Sequence, residues 1–432
     1  MQYDKRMLRP CLLLLTAALY AQTPQAEKPP ASEVAGIHVN YDEALTGDYK
    51  LPDPLLLGNG KRVKDAKTWT EKRRPELIRL FEENQYGRAP GRPAAMSFDV
   101  FDKGTPALGG KATRRQVTIY FSTDKNGPKM DLLTYVPAAA AKPVPLLLNI
   151  SFSANSTTVD DPGVRKGEIW GRDKKRVAVP AGSAFGRIEV GRLIDAGFGF
   201  ATVYYGDIDP DFLGGVANGV RALYLKPGQT EPAPDEWGAI AAWAWGLSRA
   251  VDYLETDHTV DAKRIAIFGI SRLGKTVMWA GAHDPRIALV IASCSGEGGA
   301  ALSRRNYGET IAHLTAPTRY PYQFCANYAK YAEHPGESPV DAHMLVALMA
   351  PRPVLLQTGD KDYWSDPKGE FLAAVAAAPV YKLFGKDPLD TDRWPAAGVP
   401  ILHDIGYFMH SGGHGSIPSD WDRYMAFLAK LK

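Results

Sequence analysis

The chain has 432 residues and a formal net charge of +3, which is close to neutral for its length and gives no sign of a nucleic-acid partner. Its three cysteines are too few for a disulfide framework, and a chain of this length buries a large hydrophobic core without one. The length is compatible with two domains or with one large α/β domain.

The N-terminus has the features of a cleaved secretory signal peptide. Three basic residues precede the apolar run CLLLLTAALYA (11–21), which is too short for a stable membrane anchor. We therefore expect a signal peptide at 1–21, a flexible leader at 22–36 and a single domain at 37–432, with an uncleaved anchor as the alternative. The mature protein is then secreted, to the periplasm or outside the cell, where ATP is essentially absent.

The hydrophobic pattern next predicts an antiparallel strand pair, followed by fully apolar strands that alternate with helices. In chain order the predicted elements are helix 75–86, strands 112–122, 130–137, 144–152 and 199–208, helix 236–256, strands 264–271 and 287–294 around a helix from about Arg272, strand 351–360 and helix 420–432. Fully apolar strands alternating with helices indicate a mostly parallel sheet covered on both faces, as in a three-layer sandwich. An antiparallel start followed by parallel strands is typical of an α/β hydrolase.

The stretch GISRLGKT (269–276) fits two chemically different motifs. It matches G-x-x-x-x-G-K-[ST], in which Lys275 would bind a nucleotide phosphate. It also resembles a sharp turn between a strand and a helix, which would expose Ser271 as a nucleophile. Alternatively, Ser271 could be an ordinary N-cap residue of the helix.

The order of the remaining polar residues favours the nucleophile over the phosphate loop. A phosphate loop needs a carboxylate after a neighbouring strand to hold magnesium, but the next strand ends in Cys294 and Ser295. A later apolar strand leads into Asp360 and Asp362, and HSGGHG (410–415) precedes the last helix. Serine, acid and histidine thus occur in the order of an α/β hydrolase, and we expect no nucleotide to bind.

The positions around Ser271 predict how it is supported. Gly269 is a small neighbour for a strained turn, and Lys275 lies one helical turn after the serine on the same face. Arg272 follows the serine at the positive end of a helix, where it can stabilise an oxyanion.

Motifs beyond the serine turn extend this pattern through most of the chain. They are FEENQYGRAP, TVYYGDIDPDF, WGAIAAWAWGLSRAVDYLETD, SGEGGAALSRRNYGE, TGDKDYWSDPKGE and GGHGSIPSDW. Together with G-x-S-R-x-G-K they resemble the glucuronoyl esterases, a carbohydrate esterase family, in its bacterial branch. The resemblance implies an α/β-hydrolase catalytic domain at 37–432. It also implies hydrolysis of esters between (4-O-methyl-)glucuronic acid of glucuronoxylan and lignin or other alcohols.

The same resemblance implies roles for individual residues. Ser271 is the nucleophile, His414 the base and Arg272 part of the oxyanion hole. Lys275, Glu309 and Trp364 match positions that bind the sugar. It implies no metal and no organic cofactor, and we expect a monomer.

The catalytic acid departs from the fungal pattern of this family. That pattern places a glutamate in E-S-G-x-G-G, where this chain has Cys294 in C-S-G-E-G-G. Bacterial relatives often place the acid in the later loop, which Asp362 matches, while Glu297 remains an alternative that could share the role.

Several alternatives stay open at this stage. His410 and His403 could replace His414, and Asp360 could order the turn rather than act as the acid. Lys275 and Glu309 could form an ordinary ion pair, and Trp364 could be a core residue. Cys294 and Cys325 could form a disulfide or remain two free thiols.

Other functions are also compatible with the same fold. An acetyl or feruloyl esterase or a peptidase would use the same triad, since fold does not fix substrate. From other classes, a catalytically silent carbohydrate-binding protein and an exported nucleotide hydrolase are the alternatives.

Overall fold

The computed structural model describes residues 30–180 and 188–432, so the expected signal peptide at 1–21 and residues 22–29 of the expected leader lie outside the described residues. Glu33–Val34 pairs antiparallel with Ile37–His38 in a short hairpin. This hairpin begins within the segment 22–36 for which we expected a flexible leader. Residues from Ser32 to Lys432 form one compact unit.

The strands are numbered here in chain order within the described residues. They are β1 (Glu33–Val34), β2 (Ile37–His38), β3 (Ser97–Ala107), β4 (Ala112–Tyr120), β5 (Lys129–Pro137), β6 (Val144–Ser151), β7 (Glu168–Trp170), β8 (Arg176–Ala178), β9 (Gly199–Tyr204), β10 (Val260–Ile270), β11 (Ile287–Ser293), β12 (Val354–Gly359), β13 (Ile401–Leu402) and β14 (Ile405–His410).

The α-helices of the same residues are numbered likewise. They are α1 (Ala66–Thr68), α2 (Arg74–Phe81), α3 (Asn155–Thr158), α4 (Val190–Asp195), α5 (Tyr205–Ile208), α6 (Ala239–Leu254), α7 (Arg272–His283), α8 (Ile311–Thr315), α9 (Ala342–Ala347), α10 (Pro367–Leu383) and α11 (Asp420–Leu428). Short 3₁₀ segments lie between them, of which Tyr363–Ser365 matters below.

One large sheet organises the described residues, and its strand order is β13-β14-β12-β11-β10-β6-β9-β5-β4-β3. Strands β3, β4 and β5 pair antiparallel, whereas β9, β6, β10, β11, β12 and β14 run parallel. The predicted α/β-hydrolase sheet, antiparallel at its start and parallel afterwards, is therefore confirmed.

Alternate residues of β10 show why the sheet needs helices on both faces. Ile265 and Ile267 belong to the hydrophobic cluster that includes α6 and α7. Ala266 and Phe268 point the other way, into a second cluster with α4 and α11. Successive side chains of a strand point to opposite faces, so an apolar strand needs cover on each side. The predicted three layers follow from this.

The predicted set of strands needs two corrections. The strand predicted at 199–208 ends at Tyr204, because the next four residues turn into α5 and Asp207 pairs with Arg176 at 2.5 Å. Strand β3 was not predicted, since its residues are mostly exposed and it carries no continuous apolar run. Ser271 therefore follows the sixth strand of the large sheet in chain order, whereas the predicted elements place it after the fifth strand.

The parallel strands end together at one edge of the sheet, and the predicted catalytic residues follow them there. Ser271 follows β10, Cys294 follows β11, Asp362 lies shortly after β12 and His414 shortly after β14. Ligand sites of open α/β sheets lie at this carboxyl edge. Among the described residues, none of the helices has the length and apolar character needed to cross a membrane.

Candidate active site

Ser271 lies on a strained turn between β10 and α7. Its φ of 60° and ψ of −128° are rare for a residue with a side chain. The turn is held by a hydrogen bond from the Ser271 N–H to the Ser293 carbonyl, at 2.8 Å. A Cβ atom at Gly269 would lie only 2.2 Å from the Leu273 carbonyl oxygen, so this position requires glycine. This geometry is that of a nucleophile elbow.

Asp362 and His414 form a hydrogen-bonded pair beside this turn. The Nδ1 atom of His414 lies 2.8 Å from Oδ2 of Asp362, and the Ser365 hydroxyl lies 3.3 Å from the same nitrogen. The Asp362 side chain is 3% exposed, whereas that of His414 is 37% exposed. A buried carboxylate that accepts from Nδ1 orients the imidazole and leaves Nε2 for acid–base chemistry.

The loops that carry this pair are joined to each other through the backbone. The Lys361 N–H donates to the Gly412 carbonyl at 2.9 Å, and the Gly412 N–H donates to the Asp360 carboxylate at 2.8 Å. A Cβ atom at Gly359 would lie 2.2 Å from the Gly413 carbonyl oxygen. Asp360 therefore has the structural role that the sequence left open, and Gly359 permits the close approach of the histidine loop.

The other two histidines are placed differently. His410 is buried, with Nδ1 2.9 Å from Asp420 and Nε2 3.0 Å from the Gly413 carbonyl. Burial lowers the pKa of His410, but the Asp420 carboxylate outweighs this effect and leaves the pKa above its ordinary value. His403 lies 2.7 Å from the Pro388 carbonyl, beyond β13. Neither lines the cavity described below.

Glu297, the alternative acid, is turned toward other partners. Its Oε1 atom accepts hydrogen bonds from Ser303, at 2.6 Å, and from Tyr328, at 2.7 Å. Burial raises its pKa to about 8. A carboxyl group that is satisfied in this way and holds its proton below that pH is poorly suited to orient His414.

Cys294 lies against the histidine loop. The Gly415 N–H donates to its sulfur at 3.2 Å, and the thiol donates to the Gly415 carbonyl at 3.5 Å. Burial, aided by the charge of Asp362, raises the pKa of Cys294 well above its ordinary value. Cys294 and Cys325 are both buried free thiols, so the structure has the free-thiol alternative and no disulfide between them.

Arg272 is fixed by a buried polar network around Asp211. Its Nη1 atom lies 2.5 Å from Asp211 Oδ2, and its guanidinium lies over the ring of Tyr320 at 4.7 Å. Tyr322 and Gln323 donate to the other carboxylate oxygen at 2.9 and 2.8 Å. Burial lowers the pKa of Arg272, but the charge of Asp211 outweighs this effect and leaves the pKa above its ordinary value. The guanidinium therefore stays charged.

A second ionic group surrounds Glu309. Its two carboxylate oxygens face Lys275 at 3.4 Å and Arg319 at 3.0 Å. The Glu309 N–H donates to the Trp364 carbonyl at 2.8 Å, and the Arg319 guanidinium lies 5.4 Å from the centre of the Trp364 ring. Lys275 and Glu309 are buried, so this pair differs from the solvated surface pair that was the alternative.

All the predicted site residues line one cavity of about 310 Å³. Its lining consists of Ser271, Arg272, Lys275, Cys294, Glu309, Leu314, Arg319, Tyr320, Gln323, Asp362, Trp364, Ser365 and His414. Arg319, Tyr320 and Gln323 were not predicted; the first two lie in an irregular segment and Gln323 in a short 3₁₀ turn, and none of them has a recognisable spacing. Asp211 was also missed, although TVYYGDIDPDF contains it.

Comparison with known proteins identifies the family. The structure of a glucuronoyl esterase from Solibacter usitatus is 48% identical to this chain and covers 90% of it and 100% of its own length, with a TM-score of 0.86. The chain belongs to the glucuronoyl esterase family. It is therefore a carboxylic ester hydrolase, and the predicted resemblance to the bacterial branch is confirmed.

Further relatives of this glucuronoyl esterase are consistent with the assignment. A promiscuous family 15 carbohydrate esterase from a marine bacterial metagenome is 44% identical, covers 91% of this chain and all of its own, and has a TM-score of 0.84. A 4-O-methyl-glucuronoyl methylesterase from Neurospora crassa is 27% identical over 95% of this chain and 88% of its own. The family model described as glucuronyl esterase, fungi, matches residues 232–385.

Proposed function

We propose that this protein is an exported, monomeric serine esterase that cleaves the ester between (4-O-methyl-)glucuronic acid of glucuronoxylan and lignin or other alcohols. It would do so through Ser271, His414 and Asp362, without a metal or organic cofactor. One observation carries the proposal: Ser271 on its strained turn shares a cavity with the buried, hydrogen-bonded pair of His414 and Asp362.

The first chemical step forms a glucuronoyl-enzyme intermediate. His414 accepts the proton of Ser271 as the serine oxygen attacks the carbonyl carbon of the uronate ester. The tetrahedral oxyanion is stabilised by Arg272 and by N–H groups at the start of α7, where the helix dipole is positive. The C–O bond to the alcohol then breaks, and the alcohol leaves with the proton from His414.

The second step reverses these roles. His414 removes a proton from water, the hydroxide attacks the acyl carbon, and Ser271 leaves with the proton that His414 returns. Asp362 orients the neutral imidazole in one tautomer and stabilises the imidazolium, since its buried carboxylate lies 2.8 Å from Nδ1. The products are free glucuronate and the alcohol, and the enzyme returns to its initial state.

The cavity wall supports a sugar acid as the acyl group. Lys275 and Glu309 offer a donor and an acceptor to sugar hydroxyls, and Trp364 offers an indole face on which a sugar ring can lie. The Neurospora crassa relative is a 4-O-methyl-glucuronoyl methylesterase, which supports the same substrate class.

The experiment that tests this function compares Ser271→Ala with the native protein on benzyl glucuronate. We expect the variant to lose nearly all turnover while retaining its affinity for glucuronate. A serine-directed phosphonate should label the native protein and not the variant. Ester hydrolysis retained by pure Ser271→Ala would overturn the assignment of the nucleophile.

An acetyl or feruloyl esterase with the same triad would behave differently. Its kcat/KM would be higher on an acetyl or feruloyl ester than on benzyl glucuronate, because Lys275 and Glu309 would contribute nothing to acyl recognition. Measuring the three substrates side by side therefore separates the two substrate classes.

A further inference from the structure

Three different donor groups converge beside Ser271. One ligand atom from each of Cys294, Asp362 and His414, namely a sulfur, a carboxylate oxygen and an imidazole nitrogen, lies within 4.8 Å of the other two. The thiol and the carboxyl group are buried, and the imidazole faces the solvent. All three side chains line the same cavity.

We propose that these side chains form a Zn²⁺ site whose occupancy inhibits the enzyme. Thiolate, imidazole and carboxylate are the ligands that zinc takes in proteins, at about 2.0–2.3 Å. In a tetrahedral site with those bond lengths, the ligand atoms lie about 3.3–3.6 Å from each other. No two of the three atoms are more than about 1.5 Å farther apart than in such a site, and Nδ1 of His414 and Oδ2 of Asp362, at 2.8 Å, would have to separate by about 0.5 Å.

The surroundings of the three side chains allow a zinc ion to enter and to complete its coordination. The His414 side chain is 37% exposed and lines the same cavity as Ser271, so water or the Ser271 hydroxyl could serve as the fourth ligand. On binding, the Cys294 S–H bond breaks, its proton passes to water, and the sulfur lone pair forms the Zn–S bond. Asp362 supplies an anionic oxygen, so the thiolate and the carboxylate together neutralise the charge of the ion.

Zinc would inhibit the enzyme because it binds His414, the base of the reaction. This step rests on the proposed triad. Zinc on Nε2 would occupy the nitrogen that accepts the proton of Ser271. Zinc on Nδ1 would instead force the ring proton onto Nε2, with the same result. Either arrangement also breaks the contact between His414 and Asp362.

Cobalt(II), an absorbing substitute for zinc, tests the site without reference to activity. We expect the native protein to show a thiolate-to-cobalt charge-transfer band in the near ultraviolet. Cys325→Ser, which removes the other buried thiol, should retain the band, and Cys294→Ser should lose it. A missing band in the native protein, or a band that persists in Cys294→Ser, would overturn the proposal.

Zinc inhibition of benzyl glucuronate hydrolysis tests the consequence. Each variant is compared with its own rate in the presence of a chelator. We expect the inhibition constant for Zn²⁺ to rise at least about tenfold in Cys294→Ser, since losing even an outer partner of a metal ligand costs about 10- to 100-fold in affinity. Cys325→Ser should match the native protein. Equal inhibition of Cys294→Ser and the native protein would contradict the site.

A second variant keeps the test decisive if Cys294→Ser folds poorly. Asp362→Asn retains the thiol, so the cobalt band should remain at saturation while the Co²⁺ dissociation constant rises at least about tenfold. An unchanged constant would exclude Asp362 as a ligand and overturn the three-ligand site. Cobalt bound by Cys294 with full ester hydrolysis would contradict the inhibition and the triad role of His414. A native protein that is already inactive on benzyl glucuronate in the presence of a chelator, and that still shows the band when cobalt is added, would contradict the proposed function and leave the metal site standing.

Discussion

The Nδ1 atom of His414 lies 2.8 Å from Oδ2 of Asp362, whereas Oε1 of Glu297 is bonded to Ser303 and Tyr328. Asp362→Asn should therefore lower kcat by about 10⁴-fold, because the histidine loses its correct tautomer. Glu297→Gln should change kcat by less than about tenfold, as for a residue outside the triad. Steady-state kinetics on benzyl glucuronate measure both values.

The two variants also control for each other, because each converts one buried carboxyl group near the same sheet edge into an amide. The reverse ranking of their losses would transfer the acid's role to Glu297. Comparable partial losses would show that two carboxylates share the orientation of His414.

Arg272 should act on the transition state. Its guanidinium remains charged and is fixed by Asp211, so Arg272→Ala should lower kcat by on the order of 10²-fold or more. Asp211→Asn keeps a hydrogen-bond acceptor and should cause a smaller loss. A change confined to KM in Arg272→Ala would assign this residue to ground-state binding.

Lys275 should act on sugar recognition. Lys275→Ala should raise KM for benzyl glucuronate more than it changes hydrolysis of a small activated acetate, because the acetate has no hydroxyl groups for Lys275 to bind. Without Lys275, Glu309 still pairs with Arg319 at 3.0 Å, so Glu309 keeps one of its two ion pairs. Equal losses on both substrates would instead indicate that Lys275 supports the turn at Ser271.

Glu370 should make stability depend on pH. It is buried, its Oε1 accepts from Ser295 and from the Gly296 N–H, and burial raises its pKa to about 8. The folded state then holds a proton that the unfolded chain releases above its ordinary pKa of 4.5. The free energy of unfolding should fall as pH rises between these values, by at most about 1.4 kcal/mol per pH unit from this group.

Glu370→Gln should remove this contribution, because the amide is neutral at every pH in the window. Urea unfolding followed at several pH values between about 5 and 8 measures the slope. A smaller slope should remain from Glu297, whose pKa is also raised to about 8. An unchanged slope in Glu370→Gln would show that this carboxyl group titrates normally.

Local patterns were sufficient to predict that Ser271, Asp362 and His414 lie together at one edge of the sheet. Strands β10 and β12 each contain a short apolar run, and each is followed within a few residues by a polar side chain. Because the carboxyl ends of parallel strands meet at one edge, the order of Ser271, Asp362 and His414 implied that they share a site. Strand β14 itself was not predicted, yet its loop was recognised from the glycines around His414.

Partners that come from distant segments were not predictable from the sequence. Asp211 holds Arg272 across 61 positions, and nothing local to either residue indicates the other. Arg319 lies only 10 positions after Glu309, but it belongs to an irregular segment whose sequence has no periodicity that would pair the two. The shift of Glu370 depends on burial by the whole fold, which a single helical pattern does not reveal.

The close contact at Gly359 has a consequence for the design of new variants of this enzyme. The strand end at 359 lies against the carbonyl groups of Gly412 and Gly413 with no room for a methyl group, so the loops that carry Asp362 and His414 depend on each other's position. Chimaeras that exchange only the histidine loop would have to reproduce this contact to fold correctly. Exchanging 359–362 together with 410–415 preserves this contact, so the two loops should be transferred together and not one at a time.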